Sequence, residues 1–351
     1  MKDKETEIKR ILLCRLGGIG DVIHTLPLVK YLRKKHTTAS IEYITSSDVA
    51  ELIKDHCPYV DRTWVFDKKN KHKVAKNLLN NSVNVDYFFN LHSSLSFFFF
   101  NLFYIKAKKF FQYKKDISVH AVVNFAKTYD ESLSALNLDM KTVLVDNVEE
   151  ILDRYSLSAT KYICLVPGVG NIRAHRGWPF ENWLSLAKKI LNYEKDYKIV
   201  FLGGKYEQKV FENWINLAKE SEAYKNEDSN SESLPGFKNR AINLTGKLSL
   251  SEVARIISKS NYLISCDTGL LHLAAALSVK VIGLYGPTLP KRSGPFTGNY
   301  QVISAKNCEC ISNFLEVKNC KKSKEPSGYC MNTLTVNEIL SAVSQNLVEA
   351  R

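Results

Sequence analysis

The chain has 351 residues, 45% of them hydrophobic and 24% charged, with a formal net charge of +13. That length exceeds one ordinary core and suits two, and the composition is that of a soluble globular protein. The charge calls for a negatively charged partner: nucleotide, nucleic acid or an anionic membrane face.

Met1–Arg10 is charged, and the apolar stretch from Ile11 to Cys14 is too short for a secretory signal, so a cytoplasmic protein is expected. Cys14, Cys57, Cys164 and Cys266 are scattered through apolar segments, as reduced core thiols are.

The first predicted element is a buried strand over residues 9–15, followed by Leu16-Gly-Gly-Ile-Gly-Asp21 and a helix with apolar positions at Val22, Leu26, Val29 and Leu32. The glycine spacing is neither a dinucleotide fingerprint nor a Walker loop. Gly17, Gly18 and Gly20 let a large ligand approach the backbone. Asp21 falls where the helix begins, with His24 one turn on. Asp21 is either a carboxylate that stabilises its helix or a general base. Further strands are predicted over 40–45, 62–66 and 85–92, with a helix over 49–54 between the first two. This alternation argues for a doubly wound α/β domain.

Residues 97–105 are the most apolar stretch, too short to span a bilayer, and Lys106, Lys108, Lys109, Lys114 and Lys115 follow with aromatic residues between them. The segment reads as a buried helix with a solvated basic end. Docking to an anionic leaflet is the alternative. Another strand is predicted over 141–145, and the domain boundary near 157.

The second half repeats the pattern. A strand over 161–166 runs into a loop holding Arg173, His175 and Arg176, and Trp178-Pro179 starts a helix that continues to about 191. An arginine in such a loop neutralises a leaving phosphate without a metal, and a solvated basic loop is the alternative. A strand over 198–202, Gly203-Gly204 and Glu207 at a helix start come next. Residues 220–239 read as a solvated loop, and Ser249 with Glu252 forms a capping box.

The most informative stretch is Ser265-Cys-Asp-Thr-Gly-Leu-Leu-His272, between apolar runs at 262–265 and 281–285. Strand, tight turn, helix and strand make one βαβ unit, whose helix N-terminus suits phosphate. Thr268 and His272 lie one turn apart, so hydroxyl and imidazole can reach one ligand. Asp267 would repel a pyrophosphate, so it caps the helix or takes a sugar hydroxyl. Cys308, Cys310, Cys320 and Cys330 form a late cluster without paired C-x-x-C spacing. It reads as reduced thiols holding the tail, with zinc or iron as the alternative.

Taken together, Arg15-Leu-Gly-Gly-Ile-Gly-Asp-Val-Ile-His-Thr-Leu-Pro27, Asn90-Leu-His92, Pro167-Gly168, Arg176-Gly-Trp-Pro179, Leu202-Gly-Gly204, Ser265 to His272 and Tyr285-Gly-Pro-Thr288 occur in the order found in glycosyltransferase family 9, which the chain resembles. The resemblance implies an α/β GT-B fold of two Rossmann-like domains facing across a cleft. Residues 1–157 would form the acceptor-side domain and 158–332 the nucleotide-sugar domain, with a helix in 333–351 packing back toward the first. The implied activity is inverting, metal-independent transfer of heptose from ADP-heptose to a lipid A-linked inner-core acceptor, without a cofactor. Asp21 would be the base. The donor residues would be Arg176 (where the family usually has Lys), Glu207, Asp267, Thr268, Gly269 and His272. The acceptor side would hold Gly17, Gly18, Gly20, His24 and His92. Peripheral contact with the cytoplasmic leaflet of the inner membrane fits such an acceptor, and nucleic acid is not expected as a partner. The competing reading is a non-catalytic basic module that binds nucleotide or RNA.

Overall fold

The computed structural model describes residues 7–66, 74, 76–77, 84–92, 94–209, 211–213, 237–306, 308 and 330–348. The chain divides into two compact units, Met1–Val145 and Asp146–Arg351.

The first unit is built on five parallel strands, β1 (Arg10–Cys14), β2 (Ser40–Thr45), β3 (Arg62–Val65), β4 (Tyr87–Asn90) and β5 (Lys109–Gln112), in the order β3-β2-β1-β4-β5. β1 is buried along its whole length, as a central parallel strand covered on both faces must be. From β1 the chain builds outward through β2 and β3, then crosses to the opposite side for β4 and β5. The loops after β1 and β4 therefore part at the carboxyl edge, where doubly wound sheets hold their ligands.

Two expectations fail in this unit. The apolar helix is not buried all round, and it ends at Ile105 rather than running into its lysines. Lys106 takes a left-handed conformation, the Asn101 side chain accepts the Ala107 N–H at 3.1 Å, and the basic segment forms the edge strand β5. The strand predicted over 141–145 does not form. Thr142 and Val143 are buried, but Leu144 gives its N–H to the His56 carbonyl, at the end of a helix rather than in a ladder. β-Branched residues satisfied the pattern without a neighbouring strand to pair with.

The second unit has six parallel strands, β6 (Lys161–Val166), β7 (Tyr197–Phe201), β8 (Ala241–Asn243), β9 (Tyr262–Cys266), β10 (Val281–Tyr285) and β11 (Tyr300–Ser304), in the order β11-β10-β9-β6-β7-β8. The two edge strands, β8 and β11, are less buried and carry no clear apolar run, so the sequence alone did not mark them. The helix Val336–Val348 buries Ile339, Ala342 and Val343 in this unit's own core with Trp183 and Leu186 of the helix Phe180–Tyr193. Trp178 donates its indole N–H to the Leu334 carbonyl at 2.9 Å, tying the loop after β6 to the tail. Ser249 and Glu252 cap the helix Leu250–Ser258 reciprocally, as their spacing predicts. No helix among the described residues is long and apolar enough to cross a membrane.

Candidate active site

In the second unit β6 and β9 lie side by side, with Val166 opposite Ser265, and from there the chain winds outward on each side in turn. Their following loops meet at the switch point of the sheet. Arg176 ends the turn Asn171–Arg176 after β6, and Asp267 directly follows β9. Arg176 Nη1 donates to Asp267 Oδ2 at 3.0 Å, and His272 Nε2 lies 3.3 Å from Oδ1. All three are buried, with residue exposures of 8% for Arg176 and Asp267 and 3% for His272. A carboxylate, a guanidinium and an imidazole have thus been withdrawn from water together, with the carboxylate paired to both of the others.

Burial pushes the Asp267 carboxyl up, but the His272 hydrogen bond and the Arg176 charge outweigh it and hold the group below the usual carboxylate range. Asp267 is therefore an ionised anchor. The expectation that it caps the following helix is not met: Thr268 is the N-cap of Gly269–Ala276. The Thr268 hydroxyl pairs with Ser265 Oγ at 2.8 Å and makes no bond to a helix N–H, so the N-cap side chain does not cap this terminus. Thr268 and His272 consequently address different neighbours, Ser265 and Asp267. Beside them, burial and the charges of Arg176 and Arg173 push His175 down, which keeps its ring neutral near pH 7. Burial pushes the Cys266 thiol up to about 12, so the thiol is no nucleophile.

A carboxyl with a depressed folded pKa stabilises the fold above its unfolded value and loses that contribution as pH falls through the folded one. The stability owed to Asp267 is therefore expected to be complete above about pH 4 and to disappear below it. Urea midpoints measured from pH 6 downward should fall more steeply in the parent than in Asp267→Asn. Parallel curves would show that Asp267 is not the group responsible.

Glu207 joins two glycine loops. Its Oε1 accepts the Gly170 N–H at 2.8 Å, and its Oε2 accepts the Gly204 N–H at 3.0 Å. Gly168 makes this approach possible, since a Cβ there would lie 2.4 Å from Glu207 Cγ. Glu207→Ala is expected to cost about 0.5–1.5 kcal/mol, the net worth of a hydrogen bond, because water can reach the exposed Gly204 amide in its place. A thermal melt without ligand measures this cost separately from any contact with a nucleotide.

The first unit gathers a second set of residues. Gly17 and Gly18 have φ values of 65° and 59°, a left-handed turn that glycine adopts without penalty. Gly20 lies in the first turn of the helix Ile19–Lys35, with Asp21 beside it. Arg15, at the end of β1, pairs through Nη2 with Asp21 Oδ2 and donates through Nη1 to the Leu91 carbonyl at 3.0 Å. One guanidinium thus spans the loops after β1 and β4. The Asp21 side chain remains 47% exposed. His24 is buried, with its ring edge-on to His120 at 5.8 Å. His92 packs edge-on against Phe97 at 6.3 Å, and its backbone N–H donates to Asn90 Oδ1 at 3.3 Å. Asn90, fully buried, donates to Gln112 Oε1 at 2.8 Å.

Sequence reasoning gave no role to Arg15 or His120. The available signal for Arg15 was an arginine at the end of a buried strand, directly before a glycine turn. Of the cysteine cluster, Cys330 is buried in the second core and Cys308 packs against it, while Cys310 and Cys320 lie outside the described residues. Among the described residues no group of three or more His, Cys, Asp or Glu could hold a metal ion.

Residues 103–324 match the sequence model of glycosyltransferase family 9 (heptosyltransferase). Lipopolysaccharide heptosyltransferase 2 of Salmonella typhimurium is 31% identical over 154 residues, covering 42% of this chain and 38% of that protein. The match to lipooligosaccharide heptosyltransferase 2 of Haemophilus influenzae covers 30% of that protein, so the chain spans about a third of the length of these curated relatives. Among solved structures, the E. coli ADP-heptose lipopolysaccharide heptosyltransferase II superposes with a TM-score of 0.74 at 18% identity, covering 98% of this chain and 99% of that one. An E. coli heptosyltransferase solved with ADP superposes with a TM-score of 0.66 at 20% identity, covering 96% and 99%. These likenesses bear out the expected α/β GT-B fold class.

Proposed function

The chain belongs to glycosyltransferase family 9, and from that premise we propose that it is an inverting, metal-independent transferase moving heptose from ADP-heptose to a lipid A-linked inner-core acceptor. The observation that carries this reading is the buried meeting of Arg176, Asp267 and His272 beside a helix start whose N-cap residue, Thr268, makes no side-chain cap bond. The second unit would hold the donor there. Amides at the start of Gly269–Ala276 would face the diphosphate, and Arg176 and His272 would stabilise the charge that develops as ADP departs.

Asp267 would belong to the donor site and set the geometry of both groups. Glu207 would shape the nucleotide pocket by holding the two glycine loops. Asp21 would take the proton of the acceptor hydroxyl, with Arg15 fixing its orientation. Gly17, Gly18, Gly20, His24 and His92 would line the acceptor side. The acceptor's lipid anchor would bring the enzyme to the cytoplasmic face of the inner membrane. The family match does not favour the non-catalytic nucleotide- or RNA-binding module as an alternative.

Thermal shifts with ADP, UDP, GDP and ADP-heptose test the donor. A ligand at a hundred times its Kd should stabilise the protein by about 2.7 kcal/mol, and only the adenine pair is expected to do so. Incubation with ADP-heptose and a heptose-free lipid A-linked acceptor should then release ADP and add one heptose with inverted configuration. A stronger response to UDP or GDP, or retention of configuration, would overturn the assignment.

A further inference from the structure

The first unit carries an apolar surface that its own core leaves uncovered. Over the helix Leu95–Phe100 and the π-turn Asn101–Ile105, one face enters the core through Phe97, Phe100 and Ile105. The opposite face holds Phe98, Phe99, Leu102 and Phe103, of which Phe99, Leu102 and Phe103 are 50%, 52% and 65% exposed. The Phe99 and Phe103 rings stack at 6.2 Å with 14° between their planes, and Phe98 meets Phe99 edge-on at 5.6 Å. These rings form a contiguous patch, unlike scattered surface apolar residues, which need no explanation.

The segment that carries the patch and follows it holds positive charge only. Residues 94–115 contain five lysines and no carboxylate. The left-handed turn at Lys106 puts that exposed lysine directly after the π-turn, whereas Lys109 lays its ammonium over Phe111 on the other face of β5, away from Phe110, which meets Phe98. Lys108 is tied to Asp86 at 2.7 Å yet remains 62% exposed. An apolar face bordered by lysines matches the boundary between acyl chains and anionic headgroups. It matches a second copy of the same face poorly, because that would bring like charges together.

We propose that Phe98, Phe99, Leu102 and Phe103 insert into an anionic lipid leaflet, with Lys106 at its headgroups. The helix would lie in the interface, since 11 residues from Leu95 to Ile105 are too few to span a bilayer. This assignment deepens the lipid-linked acceptor reading and rests on it for the surface's purpose. Lipid binding is measured without donor or acceptor, so either can fail without the other.

The test is flotation of the full chain with vesicles of phosphatidylcholine containing phosphatidylglycerol. Binding is expected with the anionic vesicles, to fall as salt rises, and to be at least tenfold weaker with phosphatidylcholine alone. The double variant Phe99→Ser, Phe103→Ser should lose at least tenfold in partitioning while keeping the parent's melting temperature within a few degrees. Lys106→Glu should lose about fivefold or more, the contribution of one cation near such a surface. Should the serine pair be misfolded, Phe103→Trp decides: its emission is expected to be quenched by brominated acyl chains beyond the quenching of the parent protein. No preference for anionic vesicles, full binding by the folded serine pair, or no added quenching overturns the proposal. Conversion of a dimer to monomers by the serine pair would instead assign the face to a second copy.

Discussion

Asp21→Asn is expected to turn over about 10²- to 10⁴-fold more slowly than the parent, the usual worth of a positioned general base. Asparagine preserves the shape and can still meet the Arg15 guanidinium through its carbonyl oxygen, but it cannot accept the acceptor's proton. The fold should hardly notice, since an ion pair with a side chain 47% exposed is worth about 1 kcal/mol at most. ADP affinity should stay within a few-fold, because the proposed donor residues belong to the second unit and Asp21 to the first. Turnover and calorimetric ADP affinity on the same preparation check the split. A variant that keeps turnover within a few-fold removes Asp21 from the mechanism, and one that loses ADP binding as well gives it a different job. Arg15→Gln provides a companion measurement. A positioning role predicts a lower kcat and a shifted pH profile for turnover, whereas a purely structural role would move the melting temperature alone.

Arg176→Ala should have the second large effect, on stability and on ADP affinity together. Removing one partner from a buried ion pair costs about 3–5 kcal/mol, because the remaining charge is left in a poor solvent. Here the loss should fall at the lower end, since His272 stays beside the Asp267 carboxylate at 3.3 Å. Loss of a charge-assisted contact to the diphosphate, at about 1.5–3 kcal/mol, corresponds to an affinity loss of about tenfold to a hundredfold. Arg176→Lys separates the two consequences. It retains the charge near Asp267 but loses the planar fork, so stability should recover more fully than ADP affinity. Calorimetry with ADP on folded protein decides the functional part, and unchanged affinity in Arg176→Ala would confine Arg176 to structure.

Much of the candidate site was legible because its residues sit at strand ends. A buried parallel strand leaves an apolar run in the sequence, and residues just past that run must emerge at the sheet's carboxyl edge. That logic found the turns after β1, β6 and β9, and with them Asp21, Arg176 and Asp267. It could not find their partners. The Asp267 pairing joins residues 91 positions apart, and Arg15 reaches a carbonyl 76 positions away. A carboxylate beside a helix start also fits a cap as well as an ion pair, and here the pair prevailed because Arg176 and His272 both reach it while Thr268 occupies the cap position.

The sequence by itself determined the class of fold, the strands at the centre of each sheet and the capping box at Ser249. These follow from local patterns of burial and backbone hydrogen bonding, which leave a periodic signature in neighbouring residues. Only the tertiary structure decided that β5, β8 and β11 are edge strands, that the segment over 141–145 is not a strand, and that the aromatic helix presents half its surface outward. Each of these depends on which neighbour fills the space beside a segment. A sheet edge, an unmatched extended stretch and a half-covered helix differ in their partners far more than in their composition, and partners far along the chain are assigned only when it folds.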